Sequence, residues 1–267
     1  MIPYGVFQSK LMKKKFLSVI IPCYNEEKNL KRCVLGEVNK FMTKKNFSWE
    51  VMISDDGSTD NSKKIIRSQI KFWRNFRLLE NPHGGKPLAL WQGIKSSNGE
   101  WVLFTDMDQS TPISQLERLL PFIGNKVGAV IGSRGLKRKN FPLYRKFGSI
   151  VFAAMRKTLI LKEIDDTQCG FKLFKRDIVK KAFPKLQYFK DKRLKKGWIV
   201  TSFDAELLFI VKKMGYAIEE VPVSWEDADV SGSKGGGLSR YFRESKEMLF
   251  QIIRVKLNDL RGFYDKD

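Results

Sequence analysis

The sequence predicts an α/β fold built on a mostly parallel, doubly wound sheet. Two observations carry that expectation. Short β-branched runs alternate with helical segments from Phe16 onward, and a polar cluster follows each of the first four runs. Strand–helix alternation favours parallel pairing, and such sheets bind ligands at the C-terminal ends of their strands.

The elements follow in order. FLSVII (16–21) reads as the first strand and NEEKNLKRCVLGEVNKF (25–41) as one helix after it. WEVMIS (49–54) is the second strand, separated by the turn-rich DDGSTDNS from a helix over KKIIRSQIKFW (63–73). FRLLE (76–80) and WVLFTD (101–106) are the third and fourth strands, with KPLALWQGIKSS (86–97) helical between them. STPISQLERLLPFI (110–123) reads as a helix with Pro112 in its first turn, and VGAVIGS (127–133) as the fifth strand.

The second half is less regular. A helix around LYRKFGSIVFAAMRKTL (143–159) precedes DDTQCGFKLFKRD (165–177), which reads as a loop and then a strand. TSFDAELLFIVKKMGY is a helix capped at Gly215, AIEEVPVSW a strand, and EDADVSGSKGGGL a glycine-rich loop. From 238 to 263 apolar residues recur at helical spacing. The expected organisation is one catalytic unit over 16–235 and an amphipathic helical segment over 236–267, suited to a membrane surface or to packing on the catalytic unit.

The chain has 267 residues and a formal net charge of +21. That excess implies an anionic partner: nucleic acid, acidic lipid or a phosphorylated substrate. No zinc-finger, RNA-recognition or helix-turn-helix signature supports the first. Cys23, Cys33 and Cys169 are odd in number and widely spaced, which suggests neither a disulfide framework nor a zinc site and fits a reducing compartment. The longest apolar stretch, FGSIVFAAM, stops at Arg156, short of the ~20 residues that span a bilayer, and the N-terminus lacks the apolar core of a signal peptide. A soluble or peripheral protein is expected.

Asp106 and Asp108 end the fourth strand two residues apart, where extension puts both on one face. Two like charges there repel unless a cation lies between them, and carboxylates of this kind suit Mg²⁺ or Mn²⁺ bound together with substrate phosphates. D-x-D by itself also describes a solvated turn; the position after a strand, beside Asp55 and Asp56, favours the metal–diphosphate reading. Ser58, Thr59 and Asp60 have helix-capping roles open to them, whereas Asp55 is the first charge out of an apolar strand. Arg134, at the end of the fifth strand, and Arg145 are candidate phosphate clamps. His83 is the sole histidine and no nucleophile elbow accompanies it.

With FLSVIIPCYNEEKNL, VMISDDGSTDNS, FTDMD, DTQCGFKLF and FDAELL in this order, the chain resembles the inverting glycosyltransferases of family 2 over about residues 16 to 260. DTQCGFKLF and VPVSWED…GSK resemble the polyprenyl-phosphate sugar synthases within it. The resemblance implies a nucleotide-sugar-binding fold of the GT-A type. It also implies a divalent metal, Mg²⁺ or Mn²⁺, bridging Asp106 and Asp108 to the donor diphosphate. Pro22, Tyr24 and Glu26 match positions lining the nucleotide, Asp55 the base and ribose, and Lys86 and Met107 belong to the same nucleotide-sugar set. Arg134 and Arg145 match positions binding the acceptor phosphate or donor diphosphate, Asp166 an acid near the reacting centre, and Lys234 a loop closing over the site.

Two departures bear on the sugar. Mannosyl-type relatives often read D-x-D-L-Q with the glutamine on the metal, whereas here Gln109 comes one place earlier and Ser110 takes its position. They also tend to carry a basic residue where this chain has Ala228. Both fit UDP-glucose better than GDP-mannose as donor. The implied acceptor is polyprenyl phosphate, met at the cytoplasmic face of a membrane by a peripheral enzyme with or without a membrane-protein partner. A family member acting on a glycan acceptor is the rival reading, with Asp204 or Glu206 as its base.

Overall fold

The structure, a computed structural model, describes residues 15–135, 155, 157–190, 203–231 and 238–265. Arg145, Lys234 and most of the helix expected over 143–159 lie outside the described residues.

Among the described residues, seven strands form one sheet: β1 (Lys15–Cys23), β2 (Trp49–Asp55), β3 (Phe76–Glu80), β4 (Gly99–Phe104), β5 (Val127–Ser133), β6 (Lys172–Lys175) and β7 (Ala217–Pro222). Their order is β3-β2-β1-β4-β6-β5-β7. β1 pairs in parallel with β2 and β4, β2 with β3, and β5 with β7. β6 runs antiparallel to both of its neighbours, β4 and β5. The expected sheet is therefore present with one reversed strand set into its middle.

Both faces are covered, which is why the inner strands read as near-continuous apolar runs. Successive side chains point to opposite faces, so Leu17, Val19 and Ile21 of β1 enter one core and Ile20 the other. The first core is closed by α1 (Glu27–Lys31), α2 (Val34–Met42), α3 (Ser62–Ile70) and α5 (Leu116–Leu119). The second is closed by α4 (Lys86–Ser96), α6 (Arg176–Ala182), α8 (Phe203–Lys213) and α9 (Leu238–Leu260), with α7 (Gln187–Lys190) beside them. α9 contributes Ile252 and Val255 to that core, each 1% exposed. No helix among the described residues is long and apolar enough to cross a membrane.

Three local differences from what the sequence predicts have physical causes. The helix expected over 25–41 is two helices, broken at Cys33 with φ 60°. Periodicity does not register the break, because Leu30 and Val34 face the same core on either side of it. The segment 110–123 yields only one turn of α-helix between two 3₁₀ turns, since Pro121 lacks an amide hydrogen and crowds the preceding turn. α6 and α7, which no sequence pattern marked, pack through Ile178, Val179, Ala182 and Tyr188. Gly215 ends α8 at φ 85°, as its C-cap position predicted.

Candidate active site

The parallel strands β1, β2 and β4 deliver their C-terminal loops to one edge, where a cleft of about 370 Å³ opens. Pro22, Tyr24, Glu26, Lys86, Asp106, Met107 and Asp108 all line it, together with Asp56, Ala89 and Asp229. Seven sequence-selected residues from three separate motifs thus share one cavity. Asp55 is not among its lining residues: it is fully buried, and its Oδ2 accepts the Gly57 and Ser58 amides at 3.0 Å each. Its Oδ1 is buried without a hydrogen-bond partner. Asp56 reaches the cleft, and its two oxygens accept the amides of Gly84 and Gly85 at 2.9 and 2.8 Å. His83 serves this loop, with Nδ1 3.0 Å from the Asp56 carbonyl and its ring stacked on Tyr24 at 4.4 Å.

The loop after β4 is built to present its acids. Gln109 adopts φ 53°; its Nε2 donates to the Asp106 carbonyl (2.8 Å) and its Oε1 accepts the Ile113 amide (3.1 Å). Gln109 thus holds the backbone together, a structural use of the glutamine that distinguishes this chain from the D-x-D-L-Q pattern. Asp108 Oδ1 accepts the Ser110 amide (2.8 Å), and Asp106 Oδ1 accepts Lys86 Nζ at 2.6 Å. Burial acts to lower the Lys86 pKa, but Asp106 and Asp204 outweigh it and hold the ammonium above the ordinary lysine range.

The glycine at 170 has its reason here. A methyl group at its position would overlap the Asp106 carboxylate, so the loop before β6 needs a residue without Cβ to let that acid stand where it does. Gly170→Ala is expected to displace Asp106 and to cost roughly 10- to 100-fold in turnover, since small misplacements of reacting groups have effects of that size. Steady-state kinetics beside a thermal melt measure it.

Asp229 is the residue that sequence reasoning missed. It follows β7 in a segment laid along the β4 loop: the Glu226 amide donates to the Ser110 carbonyl (2.9 Å) and the Ala228 amide to Ser110 Oγ (3.2 Å). Asn29, fully buried, then donates to both Glu26 Oε2 (2.6 Å) and Asp229 Oδ1 (2.9 Å). The signal available in the sequence was the acidic run EDAD; its partner Asn29 is 200 residues away.

Burial, with further repulsion from Asp229, Asp108 and Asp106, raises the Glu26 pKa to about 7 against a pull downward from Asn29. A carboxyl whose pKa is higher folded than unfolded keeps a proton the unfolded chain has lost. In protein stripped of divalent cations, stability is therefore expected to fall as pH rises from about 4.5 to about 7. Glu26→Gln should remove that part of the slope in denaturant titrations across the range.

A second cluster lies beyond β6. Arg134 donates from Nε and Nη2 to the two oxygens of Asp166 at 2.7 and 2.8 Å, and its amide adds a third bond at 3.1 Å. Burial would raise the Asp166 pKa, but the guanidinium outweighs it and holds the carboxyl well below the usual carboxylate range. Glu220 of β7 secures the loop by accepting the Asp165 and Asp166 amides at 2.6 and 2.7 Å. Of the two acids named for the rival reading, Asp204 is paired with the buried Lys172 at 2.6 Å. Glu206 is fully buried away from the cleft, accepting the Gln187 amide and the Tyr264 hydroxyl at 3.0 and 2.9 Å. Glu206 therefore anchors the C-terminal segment.

Among the described residues no three His, Cys, Asp or Glu side chains converge as a ready metal cage. Asp106 and Asp108 nevertheless offer hard oxygens in a cleft that also holds Glu26 and Asp229. That donor set fits a small oxygen-seeking divalent cation that takes its remaining ligands from a diphosphate.

A sheet of this topology with two acids closing β4 over a cleft defines a glycosyltransferase of the GT-A type. The chain belongs to glycosyl transferase family 2, whose model matches residues 18–183. It is 34% identical to a dolichyl-phosphate beta-glucosyltransferase of Dictyostelium discoideum, over 93% of this chain and 76% of that one. It is 31% identical to the Homo sapiens protein of the same name, over 90% and 76%. Among solved structures, glucosyl-3-phosphoglycerate synthase of Mycobacterium tuberculosis with Mn²⁺, uridine diphosphate and glucosyl-3-phosphoglycerate is similar in fold, with a TM-score of 0.61 at 17% identity over 91% and 80% of the two chains.

Proposed function

We propose that this enzyme transfers glucose from UDP-glucose to dolichyl or another polyprenyl phosphate, with inversion at the sugar carbon. The observation that carries the reading is the cleft at the ends of β1 and β4, whose lining brings Asp106, Asp108, Lys86 and the Tyr24 ring together. The names and identities of the relatives support the sugar and the lipid acceptor. The M. tuberculosis synthase, similar in fold and solved with Mn²⁺ and uridine diphosphate, supports a metal and a uridine donor.

Asp106 and Asp108 would hold Mg²⁺ or Mn²⁺, which when bound supplies charge to the departing diphosphate. Tyr24, with His83 stacked behind it, offers a ring for the base, while Pro22, Glu26 and Met107 line the donor side of the cleft. Lys86 shares Asp106, so a diphosphate arriving there meets an ammonium already in place. An acceptor phosphate is an anion and needs no strong base. The difficulty is bringing it beside an anionic donor, and fixed cations offset that repulsion. Asp166 positions the guanidinium: its oxygens are engaged and its affinity for protons is low. On their sequence motifs, Arg145 is assigned to phosphate binding and Lys234 to the loop closing over the nucleotide sugar. A lipid-linked acceptor would place the reaction at a membrane surface, which we assign to the cytoplasmic face.

The test is transfer of labelled sugar into organic-extractable polyprenyl phosphate with Mg²⁺ or Mn²⁺, comparing UDP-glucose with GDP-mannose. Lipid label from UDP-glucose alone is the expected result. Label from GDP-mannose corrects the donor, and nucleotide release without lipid label overturns the acceptor.

A further inference from the structure

α9 has two apolar faces, and the cores account for one. Ile252 and Val255 turn inward, while Phe250, Ile253, Leu257 and Leu260 are 59, 39, 45 and 71% exposed. Their spacing of three and four residues puts them in one line along the helix. From 246 to 261 the exposed side chains among those described are these four with Lys246 before them and Arg261 after them. No acid is among them: Glu247 and Asp259 are only partly exposed, and Asp259 is bound to Lys213 at 2.5 Å.

We infer that this line of α9 is the surface on which the enzyme docks to an anionic lipid bilayer. An apolar stripe with cations at both ends matches acyl chains beneath negatively charged headgroups. A second copy of the chain matches it less well. Each copy carries +21, and antiparallel pairing along the stripe would set Lys246 of one against Arg261 of the other.

The location suits a lipid acceptor. α7 touches the C-terminal segment and the loop held by Asp56: Gln187 Oε1 accepts Asn258 Nδ2 at 2.8 Å, Lys190 Nζ donates to the Phe263 carbonyl at 3.3 Å, and the Tyr188 hydroxyl donates to the Gly84 carbonyl. α9 packs through its buried side, at Asn258, on α7, which in turn holds the loop that Asp56 secures at the cleft. The docking face takes its purpose from the lipid-acceptor reading, but vesicle binding can be measured without it.

The experiment is co-sedimentation of the full chain with phosphatidylcholine vesicles, with and without phosphatidylserine. It compares wild type, Ile253→Glu/Leu257→Glu and the charge variant Lys246→Glu/Arg261→Glu. The wild type should bind vesicles containing phosphatidylserine, and each variant should bind them at least about tenfold more weakly, a difference of about 1.4 kcal/mol. Unchanged melting temperatures establish that the variants fold. Transfer to a short, water-soluble polyprenyl phosphate should be unaffected, while transfer to vesicle-embedded acceptor falls.

Vesicle binding that neither variant weakens overturns the assignment. So does a concentration-dependent dimer that the stripe variant abolishes in a protein that ignores vesicles. Stripe-dependent binding without transfer to any lipid phosphate would leave the docking face standing and remove the acceptor reading alone.

Discussion

Asp108→Asn is expected to reduce sugar transfer by about 10²- to 10³-fold, the loss typical of removing one preorganised electrostatic contact to a transition state. The substitution is informative because it leaves the loop intact. Asp108 Oδ1 accepts the Ser110 amide at 2.8 Å, and the asparagine oxygen accepts the same bond while the charge disappears. Titrating Mg²⁺ or Mn²⁺ against the initial rate, with a thermal melt alongside, separates lost charge from lost structure. Wild-type turnover by the variant at saturating Mn²⁺ would contradict the assignment of Asp108 to the metal.

Asp166→Ala is expected to have the largest effect on stability, about 3 kcal/mol, because it leaves the largely covered Arg134 guanidinium without its partner. For a domain of this size that corresponds to a fall in Tm of roughly 10 °C. The pH dependence has a definite sign. The folded pKa of Asp166 lies below the ordinary aspartate value of 3.8, so its ionised form contributes stability above that pH, and the contribution is lost as pH falls through the lower folded value. The gap between wild type and variant should therefore be full at neutral pH and close only in strong acid. Guanidinium melts at several pH values measure it, and a constant gap down into strong acid would count against the pairing.

The lining of the cleft was legible because most of its residues follow a recognisable strand. FLSVII, WEVMIS and WVLFTD carry β-branched or aromatic runs, and parallel pairing brings their ends to one edge. Met107 came with the last of these, and Lys86 with the NPHGGK cluster after FRLLE. The far side was less legible. β6 is only four residues long, and nothing in KLFK tells an antiparallel strand from a parallel one. Asp56 and Asp55 are adjacent acids, and which of them reaches the cleft is decided by the turn at Gly57, with φ 74°. Asp229 depends on a hydrogen bond across 200 residues, a separation no local pattern records. Glu206 sits among leucines in FDAELL and titrates upward through burial; the sequence displays it as a charge when the fold uses it as an anchor.

The reversed strand also sets an order of assembly. Among the described residues, β4 and β5 are never neighbours in the sheet; Lys172–Lys175 alone joins β1–β4 to β5 and β7. During synthesis the first four strands emerge together and can pair with one another, whereas β5 waits for a strand made some forty residues later. Until β6 arrives, both of its future neighbours present open edges, the state in which chains mispair with one another. Refolding should therefore be slowest, and aggregation most competitive, at the insertion of this one short strand. A substitution in Lys172–Lys175 that weakens its pairing should lower the yield of folded enzyme more than its effect on equilibrium stability would suggest.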